Sequence, residues 1–346
     1  MRMTSNIFQD SLERLLGPGQ AFLPGPPPHL GALASRIGPL DCPFPVTNPH
    51  EIRPDLVKIP RSEPLLVVDQ PTALWRDTIA KKFGRLTSAD AFVYSDEFDM
   101  KALQFWADEV ITGLSKQLPY GPVESNGALP WIGCERPASP IDFFLGLTLS
   151  LQEDFVLMAP RSHAQAFPGE HNQPNPLCAR LLSVCFPSGW VPEEKCDQSL
   201  FTIHRPVADN SRIQSAASSL SIAMAQKGPF VRYVYTLAPD NSLWRDPGQS
   251  SWPDIQGLAD IWFRVERQVT IPLAAQGSLF LIRLFVSPLE EMLRTPGRAQ
   301  QLADALETMS PALLSYKGLD SVAPKIIGAL KAHAANDRPP LRHSQP

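Results

Sequence analysis

The sequence predicts an α+β protein in which one antiparallel sheet is flanked by helices. Three observations lead there. Between about residues 140 and 290, short apolar runs are separated by Pro, Gly or polar clusters, the pattern of strands joined by turns. On both sides of that region apolar residues recur at three and four, the helical period. No stretch is long enough to separate two units, so the 346 residues read as one large domain.

The elements follow in chain order. Proline makes up 37 of the 346 residues, about twice its usual ~5% share. Many fall between residues 17 and 64, including Pro26-Pro27-Pro28. Proline locks φ and removes a donor, so this segment should be extended. Phe22, Leu30, Leu40 and Phe44 give it apolar anchors with which to drape over the domain. Residues 1–64 are therefore read as an N-terminal extension. Helices are expected over Thr72 to Phe83 and Asp99 to Leu118, where Leu103, Trp106, Val110 and Leu114 share a face and Pro119 stops the turn. Strands are expected at Phe143 to Leu151, Phe155 to Met158, Ala179 to Phe186, Val231 to Leu237, Ile261 to Ile271 and Ser278 to Val286. The last two read as a hairpin around Ala274 to Gly277. Helical windows at Pro192 to Phe201 and Asn210 to Gln226 interrupt them, and two more follow at Gly297 to Met309 and Leu319 to His333. The domain thus spans 65–333, and the polar tail 334–346 is expected to be disordered.

Composition narrows the function classes. Thirty-one Lys+Arg against thirty-five Asp+Glu leave a net charge of −4, not the basic excess of a nucleic-acid surface. No apolar stretch nears the ~20 residues of a membrane span; the strongest, Leu279 to Val286, carries Arg283. Met1 to Gln20 is interrupted by Asp10, Glu13 and Arg14, unlike a signal peptide. A soluble, cytoplasmic protein is expected. The five cysteines are odd in number and form no CxxC pair, which speaks against a disulfide framework or a zinc site. The Walker lysine loop, GxGxxG, GxSxG and HExxH are all missing.

Two regions carry candidate chemistry. In CFPSGWVPEEKCDQSLFTIHRPV, Pro187-Ser188-Gly189 makes a turn after a strand and Trp190 presents a large ring. The helix that starts at Pro192 would deliver His204 at its end, just beyond Leu200, Phe201 and Ile203. A histidine so placed is either an axial ligand for haem iron or a capping or buried structural residue. In IWFRVERQVTIPL, alternation sets Arg264, Glu266, Gln268 and Thr270 on one face and Arg267 on the other. Arginines on substantially apolar faces need an anion, either a cofactor carboxylate or phosphate, or an internal pair with Glu266. Arg232 raises the same question.

The order EDFVLM, CFPSGW, EEKCDQSLFTIHRPV, FRVERQ and Tyr316-Lys317-Gly318 resembles the haem-dependent oxidative N-demethylase alpha-subunit family, from about Pro43 to Leu319. The resemblance implies a PAS-like fold, an antiparallel sheet with helices on one side, binding haem b. It implies a monooxygenase that removes a methyl group from a small alkylamine with O2, releasing formaldehyde. Electrons would come from a flavin and iron–sulfur reductase partner, because this chain has no cysteine spacing for a [2Fe–2S] cluster. The family's IHxPV block falls on Ile203, His204, Pro206 and Val207, which points to His204 as iron ligand. The polar strand falls on Arg264, Glu266, Arg267 and Gln268. Trp190, Arg232, Arg264 and Arg267 are then the candidate haem contacts, and Glu266 the candidate catalytic residue. Where many relatives read Arg-x-Asn-Trp, this chain has Arg232-Tyr233-Val234-Tyr235, so the substrate is expected to differ from dimethylamine. The alternative is a haem-binding sensor or storage module without turnover. The oligomeric state is left open, and a homo-oligomer is compatible with everything above.

Overall fold

A seven-stranded sheet organises the chain. The computed structural model describes residues 10–11, 13–15, 34–37, 42–60, 62–69, 72–88, 91–118, 121–135, 137–161, 176–248 and 252–336. In chain order the strands are β1 (Ala34–Ile37), β2 (Val57–Lys58), β3 (Leu66–Asp69), β4 (Phe92–Tyr94), β5 (Asp154–Ala159), β6 (Cys178–Ser183), β7 (Phe230–Ala238), β8 (Trp262–Pro272) and β9 (Ser278–Pro288). The main sheet has the order β2-β7-β8-β9-β5-β6-β4, and all its pairings are antiparallel. β1 and β3 form a separate parallel pair. The helices are α1 (Thr72–Ser88), α2 (Met100–Gln117), α3 (Pro140–Ser150), α4 (Pro192–Lys195), α5 (Leu200–His204), α6 (Ser211–Gln226), α7 (Leu289–Met292), α8 (Arg298–Glu307), α9 (Pro311–Tyr316) and α10 (Ala323–Asn336). This is an α+β domain of mixed helix and antiparallel sheet. Among the described residues, no helix is long and apolar enough to cross a membrane.

The β8–β9 hairpin closes with Leu273 N donating to Gly277 O at 2.9 Å. Each of its strands is eleven residues long, and both keep their period-2 pattern. Helix α2 starts where Asp99 accepts from Ala102 N, and Leu103, Trp106, Val110 and Leu114 lie on its buried face.

One expectation is overturned. Phe143 to Leu151 is not a strand but most of α3. Ser139 caps the helix by accepting from Asp142 N, and Pro140 takes the first turn, where a missing N–H costs nothing. The helix is buried on nearly every side, so it shows no amphipathic stripe and its short apolar run reads like a buried strand. A second difference lies at 192–204. The single expected helix is two, α4 and α5, separated by Asp197 at φ 62°.

The two sheet faces differ. On one, Phe155, Leu157, Val269, Ile271, Leu279 and Leu281 pack under α1, α2 and α3, while Phe263, Val265 and Phe285 pack under α7, α8 and α10. These positions are buried. The proline-rich segment joins this face: Phe44 stacks on Phe263 with ring centroids 5.3 Å apart. Phe22, Leu30, Leu40 and the tail beyond Asn336 lie outside the described residues.

The opposite face is covered at one end by α5 and α6, whose Leu200, Ile203, Met224 and Ala225 pack with Val156, Met158, Ala179 and Leu182. Toward β7 and β8 the cover thins. Arg232, Val234, Thr236, Glu266 and Gln268 are only part-buried, although their in-strand neighbours facing the other way are mostly buried. An extended polar row on a partly accessible sheet face, bordered by helices, is where a ligand can be received.

Candidate functional site

Three strands and one short helix bring the site together. β7 and β8 pair in a register that sets Arg232 opposite Gln268, Val234 opposite Glu266 and Thr236 opposite Arg264. β9 adds Ile282, Leu284 and Val286 opposite Gln268, Glu266 and Arg264. Directly opposite residues in an antiparallel pair share a face, so these nine side chains form one surface.

His204 ends α5 beside it. Ser199 caps the helix by accepting from Thr202 N at 3.2 Å. Asn210 Nδ2 donates to the His204 carbonyl at 2.6 Å. The imidazole Nδ1 lies 2.8 Å from the Leu200 carbonyl. A carbonyl only accepts, so Nδ1 carries the proton and Nε2 keeps its lone pair. Burial lowers the imidazole pKa, and the nearby positive charges of Arg232 and Lys195 lower it further. The ring is therefore held neutral, in the tautomer a metal ligand needs. Among the described residues no group of three or more His, Cys, Asp and Glu gathers that could hold a metal.

Arg232 is the second component. Its guanidinium lies near enough to His204 to depress the imidazole, and burial lowers its own pKa against the attraction of Asp55 and Glu266. Its Nε is buried with no hydrogen-bond partner among the described residues. A buried, unsatisfied guanidinium donor is costly, and an anionic group reaching this face would satisfy it. A neutral imidazole with a spare lone pair beside an orphaned arginine donor fits haem, whose iron takes an axial nitrogen and whose carboxylates take a cation.

Glu266 is held by neutral donors. Ser188 Oγ donates to Oε1 at 2.5 Å, and Gln268 Nε2 donates to Oε2 at 2.9 Å. No cation lies within ion-pair distance of it among the described residues. Tyr316 and Lys317 lie close enough to feel its charge. Burial lowers the Lys317 pKa to about 8, an effect Glu266 opposes. Lys317 Nζ donates to the Tyr235 carbonyl at 2.8 Å, on β7.

The remaining candidates separate. Trp190, like Leu200, Ile203 and Phe280, packs against the cluster of Val156, Met158, Ala179 and Leu182 on the side that carries α5. Arg264 shares Glu266's face but is already satisfied: it is 1% exposed and donates to the carbonyls of Ser242 at 2.8 Å and Leu243 at 2.7 Å, and to Ser188 Oγ. It makes no ion pair with Glu266. Arg267 points to the opposite face and donates to the carbonyls of Leu65 and Pro64 at 2.9 and 2.8 Å. Its register partner Arg283 finds its anion there too, in Asp69 at 2.6 Å. Both of these arginines anchor β3 rather than line the face that carries His204.

Sequence reasoning passed over Ser188 as a turn residue. Strand spacing reveals Glu266 and Arg264, but nothing in the sequence brings residue 188 between them. The cysteines form no disulfide, and four are buried. Burial raises the Cys42 and Cys196 thiols to about 12, so neither offers a ready thiolate.

No curated protein matches this sequence. A family model described as haem-dependent oxidative N-demethylase, alpha subunit-like, matches residues 129–327, more than half of the chain. The match takes in α3 to α9 and the sheet from β5 to β9, hence every component of the site. This chain belongs to the haem-dependent oxidative N-demethylase alpha-subunit-like family.

Proposed function

We propose that the chain is a haem b-binding monooxygenase that demethylates a small alkylamine, drawing electrons from a separate flavin and iron–sulfur reductase. One observation carries the reading. His204, with Nδ1 spent on Leu200 and Nε2 left over, stands beside the unsatisfied Arg232 at the sheet face that carries Glu266.

His204 would ligate the iron through Nε2, and Arg232 would pair with a haem carboxylate. The Trp190 ring lends an apolar wall. Bound haem supplies the iron at which O2 and two electrons oxidise the N-methyl group. The chain's own residues place the amine. Glu266, anchored by Ser188 and Gln268, keeps lone pairs free on both oxygens and accepts an N–H bond from the ammonium. Val234 and Leu284, directly opposite Glu266 on the flanking strands, give the alkyl groups an apolar seat. Formaldehyde, the shortened amine and one water leave; the water takes the second oxygen atom of O2, the reductase's two electrons and two protons.

A PAS-like fold suits this reading. Taken alone, β5 to β9 run across the sheet as β6-β5-β9-β8-β7, with α4, α5 and α6 inserted between β6 and β7. Those helices lie against a single face, where the cofactor would be held.

The test is direct. Protein expressed with a haem precursor should show a Soret band and a b-type pyridine haemochrome. It should release formaldehyde when given an alkylamine, O2 and a reductase. Haem without turnover over a panel of secondary and tertiary amines would favour a sensor or store; colourless protein would end the reading.

A further inference from the structure

Arg264 and Glu266 sit two residues apart on one strand face, buried or part-buried, with opposite charges. Such neighbours ordinarily pair directly. Here they do not, and the Ser188 hydroxyl stands between them. Its Oγ lies 3.3 Å from Arg264 Nε, 3.0 Å from Arg264 Nη2 and 2.5 Å from Glu266 Oε1. A hydroxyl has one hydrogen and two lone pairs. The two guanidinium nitrogens can only donate, so they occupy the lone pairs. The single hydrogen must then point at Glu266.

The fold sets Ser188 there from outside the strand. Gly189 takes φ 80°, a left-handed turn that suits glycine. Arg245 N donates to the Pro187 carbonyl at 3.1 Å, and Gly189 N donates to the Arg245 carbonyl at 3.0 Å. Arg264 is in turn fixed by the Ser242 and Leu243 carbonyls. The turn at 187–189 and the loop at 242–245 thus hold the serine and the arginine as one unit.

We propose that Ser188 is the positioning residue of the amine site: its hydroxyl holds Arg264 off Glu266 and aims the carboxylate at the ligand. This rests on the reading of Glu266 as the ammonium-binding group. A carboxylate bound by a guanidinium fork would have its lone pairs filled and its charge compensated. One bound by two neutral donors, Ser188 and Gln268, keeps lone pairs open to an incoming cation, with Arg232, Arg264 and Lys317 near enough to feel its charge but not bonded to it. Without the Ser188 oxygen, Arg264 Nε loses its acceptor and Nη2 keeps only the Leu243 carbonyl, so the freed Nε–H turns to Glu266.

The experiment uses the full chain and four proteins: wild type, Ser188→Ala, Ser188→Thr and Glu266→Gln. Dimethylammonium, diethylammonium and trimethylammonium chlorides are titrated calorimetrically, with haem content and melting temperature recorded alongside. Separately, infrared difference spectra against Glu266→Gln isolate the carboxylate stretch of residue 266 without any amine. Ser188→Ala is expected to bind amine at least tenfold more weakly at unchanged haem content, and its carboxylate band should shift. Ser188→Thr, which keeps the hydroxyl, should restore both. Wild-type amine affinity in Ser188→Ala, with affinity lost in Glu266→Gln, would overturn the role of Ser188 and leave that of Glu266 standing. Unchanged amine binding in Glu266→Gln, or no binding to wild type, would remove Glu266 as the amine site and this role of Ser188 with it. An unshifted carboxylate band in Ser188→Ala would overturn the positioning by itself.

Discussion

The His204 ring is oriented by its own helix. The Leu200 carbonyl takes the Nδ1 proton, and burial beside Arg232 keeps the ring neutral. His204→Ala should lose haem or give a five-coordinate spectrum that added imidazole restores; unchanged Soret position and haem content would return His204 to a structural role. The arginines of the sheet face divide by what they already bind. Arg232 has an orphaned Nε, whereas Arg264 is saturated by carbonyls and Ser188. Arg232→Leu is therefore expected to weaken haem binding about tenfold, or roughly 1.4 kcal/mol, with little change in melting temperature. Arg264→Leu should do the reverse. It strips charged donors from two buried carbonyls, costing on the order of 3 kcal/mol, with haem per folded molecule retained. Haem titration and thermal melts on both variants separate the two roles.

At the scale of elements, the segment that delivers His204 is clamped to the sheet. Asp197 N donates to the Ala179 carbonyl at 2.7 Å, and Ala179 N donates to the Gln198 carbonyl at 2.9 Å. Beneath the clamp the fully buried Arg180 pairs with Asp197 at 2.6 Å and Glu97 at 2.6 Å. Arg180 is fully buried, but its partners Glu97 and Asp197 are 46% and 30% exposed and stay solvated without it, so Arg180→Met should cost about 1–3 kcal/mol and, on the haem reading, loosen haem by freeing α5. Chemical denaturation and the haem off-rate report the two effects.

The proline-rich segment is held differently. His50 Nδ1 lies 3.1 Å from Tyr235 Oη, and Phe44 stacks on Phe263. Burial, with Lys317 nearby, lowers the His50 pKa from 6.5 to about 4. The folded-state pKa is thus below the unfolded one, and below 6.5 the unfolded chain binds the proton first. The contribution of neutral His50 is complete above pH 6.5 and is lost as pH falls toward about 4. Denaturant melts of wild type and His50→Leu across that window should converge toward acid. Parallel pH profiles would exclude His50 as the titrating group.

Across the whole molecule, the two sheet faces carry different work. One buries the core and is bolted to β3 by Arg267 on the Leu65 and Pro64 carbonyls and by Arg283 on Asp69. Gln152 and Glu153 accept from the Asp69 and Val67 amides and complete the attachment. The other face is only part-buried at Arg232, Val234, Thr236, Glu266 and Gln268. Arg267→Leu should therefore lower the melting temperature and speed proteolysis between residues 42 and 69, while haem bound per folded protein stays the same. Haem lost in proportion beyond the folded fraction would place Arg267 in the site after all.

What was legible in the sequence follows from periodicity. The hairpin β8–β9, strand β7, and helices α1, α2 and α6 show their period because each buries one face or alternates across a pleat, whereas β5 and β6, buried at every position, are legible only as short apolar runs bounded by turn residues. Strand alternation alone sets Arg264, Glu266 and Gln268 together and Arg267 apart from them. The five ordered blocks identify the family, and they fall on the turn, helix end and strand that build the site. Other features needed the third dimension. Helix α3 is buried on nearly every side, and burial on all sides erases the stripe that distinguishes a helix from a strand. The partners of the arginines lie 21 to 214 residues away in the chain, apart from Arg283's bond to its neighbour's carbonyl, so no local pattern says which is spent on carbonyls and which is left for a ligand. Residue type sets what a side chain can donate, but only packing decides what stands within 3 Å of it, and that is what divides Arg232 from Arg264 and puts Ser188 between Arg264 and Glu266.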